Sequence, residues 1–115
     1  MIRINPVTMD AEMVRGDTGT FSIRPKIKGE NVLQDGDVVW FTLRKLQDRA
    51  ILLQKQVTEF EDGIAVIPIE PSDTAALEIG NYLYDLKLNR SDGNVDTLLP
   101  AGNDTAYFTI KRGVK

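Results

Sequence analysis

Apolar and polar residues alternate with a period of two along most of this chain, and the alternating runs are cut at short intervals by Gly, Asp, Asn and Pro. Strands that bury one face and expose the other leave this pattern, so it predicts an all-β sandwich or barrel; no window supports a long helix. The clearest run is Asn81 to Asn89, where Tyr82, Tyr84, Leu86 and Leu88 share one face and Asn81, Asp85 and Lys87 take the other. That segment is expected to be a central strand. Further strands are predicted over Met9 to Val14, over Thr20 to Lys28 with Pro25 at an edge or bulge, and over Val38 to Leu46. Ile51 to Phe60 follows without a clear inward face, then Ile64 to Ile69 with Pro68 near an edge. Val95 to Leu99 and Ala106 to Lys111 are expected as a last pair joined by the loop Pro100 to Asn103.

The punctuation between these runs carries its own chemistry. Glu61-Asp62-Gly63 suits a hairpin that needs φ > 0, with Ile64 to Ile69 as the returning strand. Pro71 to Leu77 reads as one helical turn, capped by Ser72 or Asp73 and ended before Gly80. Tyr82 then enters its strand where a Tyr can bond its hydroxyl back to the preceding loop, the tyrosine corner of sandwiches, and Tyr84 is expected in the core. Arg15-Gly16-Asp17 spells an integrin-binding tripeptide, but the structural reading is preferred: Gly16 permits a turn and Asp17 bonds local backbone. Carboxylates at Asp35-Gly36-Asp37, Glu61-Asp62-Gly63 and Asp92 to Asp96 are likewise read as turn chemistry, because none has the spacing of a calcium-binding loop.

Composition narrows the function classes. A length of 115 residues with 42% hydrophobic content predicts one domain over 1–115, with an extended arm at 1–8 and a C-terminal fringe at 112–115. Cysteine and histidine are both absent, which removes disulfides, thiolate chemistry, Cys-ligated zinc, the commonest general base and every Ser-His-Asp arrangement. No enzyme, metal or cofactor is therefore expected. Glycosidase chemistry through paired carboxylates would need an aromatic-rimmed groove, and eight aromatic residues (one Trp, three Tyr, four Phe) must already fill the core. A net charge of −3, with lysines and arginines dispersed, argues against nucleic acid. Without a signal peptide or an apolar span, the product is expected to be made in the cytoplasm and to have no membrane partner.

Trp40 is the residue on which a partner surface would be built. Val39, Phe41 and Leu43 form the cleaner apolar face of their strand, which sends Trp40 to the face of Val38, Thr42 and Arg44. Either a bulge breaks the alternation and Trp40 is core, or it points outward and anchors an interface that includes Thr42 and Arg44.

Three stretches, Arg15 to Ile23, Gly36 to Lys45 and Pro71 to Leu86, resemble small immunoglobulin-like proteins of tailed bacteriophages and prophages, similar to N-terminal modules of baseplate upper and tail-fibre proteins. The resemblance implies an immunoglobulin-like antiparallel β-sandwich of about 7–9 strands. It also implies a virion structural or assembly role in a baseplate, tail or neck, with other virion proteins or copies of itself as partners. It implies no catalytic residues. The alternative is a carbohydrate-binding or adhesion module using Trp40 with Tyr107 or Tyr84 as a stacking platform.

Overall fold

The computed structural model describes residues 2–5, 8–27, 30–99 and 105–113. The chain forms β1 (Arg3–Ile4), β2 (Ala11–Val14), β3 (Gly19–Ile23), β4 (Lys26–Ile27), β5 (Glu30–Asn31), β6 (Val38–Arg44), β7 (Ile51–Val57) and β8 (Ala65–Ile69). After α1 (Pro71–Ala75) come β9 (Gly80–Asn89), β10 (Val95–Leu99) and β11 (Tyr107–Lys111). The fold is all-β, as the alternation predicts. Eleven strands among the described residues exceed the expected number because β1, β4 and β5 are two-residue pieces, and because the run from Thr20 breaks at Arg24-Pro25.

A large sheet runs β1-β2-β11-β9-β6-β7, and β3 pairs with β8 in a small sheet; β4 and β5 make a separate two-stranded ribbon. The long strand β9 organises the large sheet. Its Tyr82, Tyr84, Leu86 and Leu88 are buried, while Asn81, Leu83, Asp85 and Lys87 face the other way. Facing them from the small sheet are Phe21, Ala65, Ile67 and Ile69, all buried, so the core lies between β9 with its neighbours and the β3–β8 pair.

Immunoglobulin sandwiches commonly pin their two sheets with a disulfide against a buried Trp. Here aromatic rings fill that role. Phe21 of β3 lies 5.4 Å from the ring of Tyr84 of β9 and 5.8 Å from that of Phe41 of β6, and Phe108 of β11 closes the cluster at 5.9–6.0 Å from Tyr84 and Phe41. Edge-on and tilted contacts at these separations suit the ring quadrupoles and add to the area that burial removes from water.

Several pairings differ from the sequence expectation, each for a physical reason. The sandwich is not wholly antiparallel: β11 runs parallel to β2, with Phe108 beside Ala11 and Ile110 beside Met13. The two strands are remote in sequence, so no tight turn imposes a direction on them. Nor are β10 and β11 a pair. Both lie along β9, β11 against Gly80 to Leu83 and β10 against Leu86 to Asn89, on the edge opposite β6.

The Glu61–Ile64 turn does place Asp62 and Gly63 at φ 53° and 74°, but pairing stops at the Glu61–Ile64 bridge. Strand β8 crosses to the small sheet instead of returning beside β7, because its alternate residues Ala65, Ile67 and Ile69 complete the core against β3. The helical turn is capped earlier than the expected Ser72 or Asp73: Glu70 is the N-cap, Pro71 opens the helix, and the Asp73 carboxylate accepts the Glu70 N–H at 2.7 Å. The loop Pro100 to Asn103, the strand end at Lys28 and the terminal Lys115 lie outside the described residues.

Candidate interaction face

The large sheet has a second face, turned away from the core, and the candidate residues stand on it. Within β6 the alternation holds without a bulge at Trp40; the one register shift in the β6–β7 pair lies between Leu43 and Arg44. Trp40 therefore points outward, half-buried between Gln56 of β7 and Lys87 of β9, its cross-strand partners. The core position in this strand belongs to Phe41, which is fully buried.

Thr42 and Arg44 share that face but differ from the expectation of direct contact. Thr42 is only 2% exposed. Its hydroxyl accepts the Gln54 side-chain amide at 3.3 Å, and it is a short residue between the longer Trp40 and Arg44 of its own strand. Arg44 is held internally: its Nε donates to the Asp85 carboxylate at 3.2 Å and its Nη1 to the Arg49 carbonyl at 3.3 Å. Beside this pair, Arg44, Arg49, Asp85 and Lys87 line an open groove of about 340 Å3.

What the sequence reading missed is Val95. Its strand β10 lies against β9 with Val95 opposite Asn89, and Asn89 is in turn opposite Val38 of β6. Val38, Trp40 and Val95 thus occupy one end of the outer face, and Val95 is 58% exposed. Its five-residue strand lacks a clear apolar alternation, so the only signal was the Asp-Gly turn that sends β10 back along β9.

The residues assigned structural roles are in turns and corners. The Tyr82 hydroxyl donates to the Glu78 carbonyl at 2.5 Å, which ties the strand entry to the loop after α1. Gly80 has φ 151° at the start of β9, a conformation that side chains rarely adopt. Gly16, at φ 83°, donates its N–H to the buried Thr74 hydroxyl at 2.9 Å, and the Asp17 N–H closes the turn onto the Val14 carbonyl at 3.2 Å. The exposed Arg15-Gly16-Asp17 segment is therefore a turn fastened to α1.

The turn carboxylates bond locally as well. The two oxygens of Asp37 accept the Gln34 and Ser91 N–H groups, each at 3.0 Å, and Asp96 meets Arg90 at 2.7 Å. Among the described residues, no group of three or more acidic side chains converges to hold a metal ion, and no helix is long and apolar enough to cross a membrane.

Perturbed ionisations follow from the same contacts. Burial pushes the Tyr84 hydroxyl up to about 12, with Asp10 adding to the effect, and this hydroxyl donates to the Met9 carbonyl. Tyr82 is raised by burial and by the Glu78 carboxylate, against the opposing hydrogen bond to the Glu78 backbone. Arg90 is raised by its hydrogen bond to Asp96. All three are accounted for by structural contacts.

A sugar platform made from Trp40 and the tyrosines does not match this geometry. Tyr84 is buried in the core. Tyr107 is 40% exposed on the outer face, opposite Leu83, whereas Trp40 is opposite Lys87. Four residues along β9 and two strand spacings separate their backbones by roughly 17 Å, too far to stack on one sugar ring. The chain matches no family model, no curated protein and no solved structure.

Proposed function

We propose that this sandwich is a non-enzymatic structural or assembly component of a bacteriophage or prophage particle, acting by protein–protein contact. The observation that supports contact as its mode of action is the outer face of the large sheet, which carries half-buried Trp40, its strand neighbour Val38 and, across Asn89, the largely exposed Val95. A Trp beside one aliphatic residue, Val38, and flanked across the strands by the long polar side chains of Gln56 and Lys87 has the make-up of an interface hot spot. The assignment to a virion rests on the likeness of the three stretches from Arg15 to Leu86 to phage immunoglobulin-like modules, together with a side-chain set that has no His or Cys.

The reading is tested on particles purified from an induced lysogen that carries the gene. Mass spectrometry should find the chain in the particles, and Trp40→Ala should reduce its incorporation roughly tenfold or more, the loss typical of a central hot spot. Circular dichroism of that variant should stay unchanged. Absence of the wild-type chain from the particles would refute the proposal.

A further inference from the structure

The large sheet ends on β7, and this edge differs from every other edge among the described residues. At the opposite end β1 has two residues, β10 is broken by a register shift between Thr97 and Leu99, and β8 carries Pro68. Strand β3 starts at Gly19, which lies directly under the Ile2 side chain. These are the usual devices that keep an edge from pairing with another chain. Strand β7 has seven residues with neither Pro nor Gly. Its irregularity is confined to one end, where Ile51 and Leu52 both stand opposite Arg44, so that Leu53–Val57 is regular. Its one charge, Lys55, is drawn away from the edge into an ion pair with Asp73 of α1 at 2.8 Å.

The direction of the backbone groups on this edge follows from bonds further into the sheet. The Tyr84 N–H donates to the Ala106 carbonyl at 3.1 Å, so even-numbered residues of β9 point their polar groups toward β11 and odd-numbered ones toward β6. Alternation then sends the odd-numbered groups of β6 toward β7; the Lys45 N–H to Ala50 carbonyl bond, 2.9 Å, continues that series past the strand end. Strand β7 meets them through Leu53, Lys55 and Val57. Its Gln54 and Gln56 consequently direct N–H and C=O outward, away from the sheet.

We propose that β7 is a homodimer edge, on which β7 of a second copy pairs antiparallel about a two-fold axis at Gln54 and joins two large sheets into one. The inference rests on the assembly reading and names a partner for it. Gln54 then forms a hydrogen-bonded pair with Gln54 of the second copy, and Gln56 with Leu52. On the inner side Leu53 faces Lys55, while the register shift leaves the 51% exposed Ile51 on the outer face with Arg44, outside the regular pairing. The neighbouring registers are worse. An axis at Lys55 would oppose two like charges, and one at Gln56 would carry the pairing into residues 58–60, where the chain has left the strand.

Sedimentation velocity of the purified chain over a concentration series should show a dimer. Gln54→Lys sets two cations on the axis and gives up the Gln54 bond to Thr42; it should weaken the dimer roughly tenfold or more while circular dichroism holds, and Gln54→Ala, which gives up the same bond without adding charge, should weaken it less. Gln54→Cys provides a second readout in a chain without cysteine. Its two copies would stand about 5.5 Å apart at Cα, within disulfide reach, and should cross-link on mild oxidation. Ile51→Cys should not, because the register separates its copies by about 20 Å. A wild-type monomer at every concentration, a dimer indifferent to Gln54→Lys, or equal cross-linking by Ile51→Cys would overturn the proposal. A monomer that still enters particles overturns this edge alone; a dimer absent from particles supports the edge and removes the virion assignment.

Discussion

Replacing Tyr84 by Phe isolates one atom at the centre of the core. The ring keeps its place among Phe21, Phe41 and Phe108, with centroids 5.4–5.9 Å away, so packing is preserved and only the hydroxyl is lost. That hydroxyl donates to the carbonyl of Met9, a non-glycine residue held at φ 62° whose N–H bonds the Asn5 carbonyl. Removing a donor from a partly buried carbonyl costs about 1–3 kcal/mol, and releasing Met9 from a left-handed conformation recovers part of it. At neutral pH the expected loss for Tyr84→Phe is therefore about 1–2 kcal/mol.

The alkaline limb sharpens the test. A hydroxyl raised from 10.0 to about 12 by folding binds its proton more tightly in the folded state. Its stabilising contribution is complete below pH 10 and disappears as the pH climbs toward 12. Two pH units correspond to roughly 2–3 kcal/mol. Urea unfolding, followed by the fluorescence of the single Trp, should thus show wild type ahead of Tyr84→Phe at pH 8 and the gap closing or reversing by pH 12. Tyr82 shifts the same way but is present in both proteins and cancels. A gap that stays constant to pH 12, or a loss above about 4 kcal/mol at pH 8, would refute the reasoning, since the second would mean that the ring itself had moved.

Other contacts yield predictions of the same kind. Asp37→Ala removes the carboxylate that joins the turn before β6 to the turn after β9 through the Gln34 and Ser91 N–H groups, and should destabilise by about 2–3 kcal/mol in chemical denaturation. Thr74→Val keeps the volume of a side chain that is 1% exposed but leaves the Gly16 N–H without its 2.9 Å acceptor. A loss of about 1–2 kcal/mol is expected, with faster amide exchange at Gly16 in NMR; unchanged exchange there would show that α1 does not fasten the turn.

The legible and illegible parts of this fold divide along a physical line. Alternation reports which side chains share a face, and it identified both faces of β9, because that strand buries one face completely; for β6 it grouped Val39, Phe41 and Leu43 but left the direction of Trp40 open, since a bulge would have reversed it. It carries no information on which strand lies alongside. The partners of β8, β10 and β11 were misread because turns such as Glu61-Asp62-Gly63 fix the local chain reversal, whereas the choice of sheet is made by the core that Ala65, Ile67 and Ile69 must close. Lateral cover is equally invisible to a one-dimensional pattern. Thr42 is on the outer face by parity, yet it is buried, because Gln54 lies across it from another strand.

That division bears on how the proposed role can be tested. The two sheets are held by Phe21, Phe41, Tyr84 and Phe108, none of which reaches the outer face, and the turns and connections are fastened by bonds at Asp37, Thr74 and Tyr82. Trp40 contributes to neither set. A Trp only half-buried on a sheet whose core is already closed by other aromatics contributes less to folding than a fully buried ring, so removing it should leave stability nearly intact. A Trp40→Ala variant that folds normally and loses incorporation would place the function on the outer face. One that unfolds would mean instead that this ring is part of the fold, and that the edge at β7 is the better surface on which to seek partners.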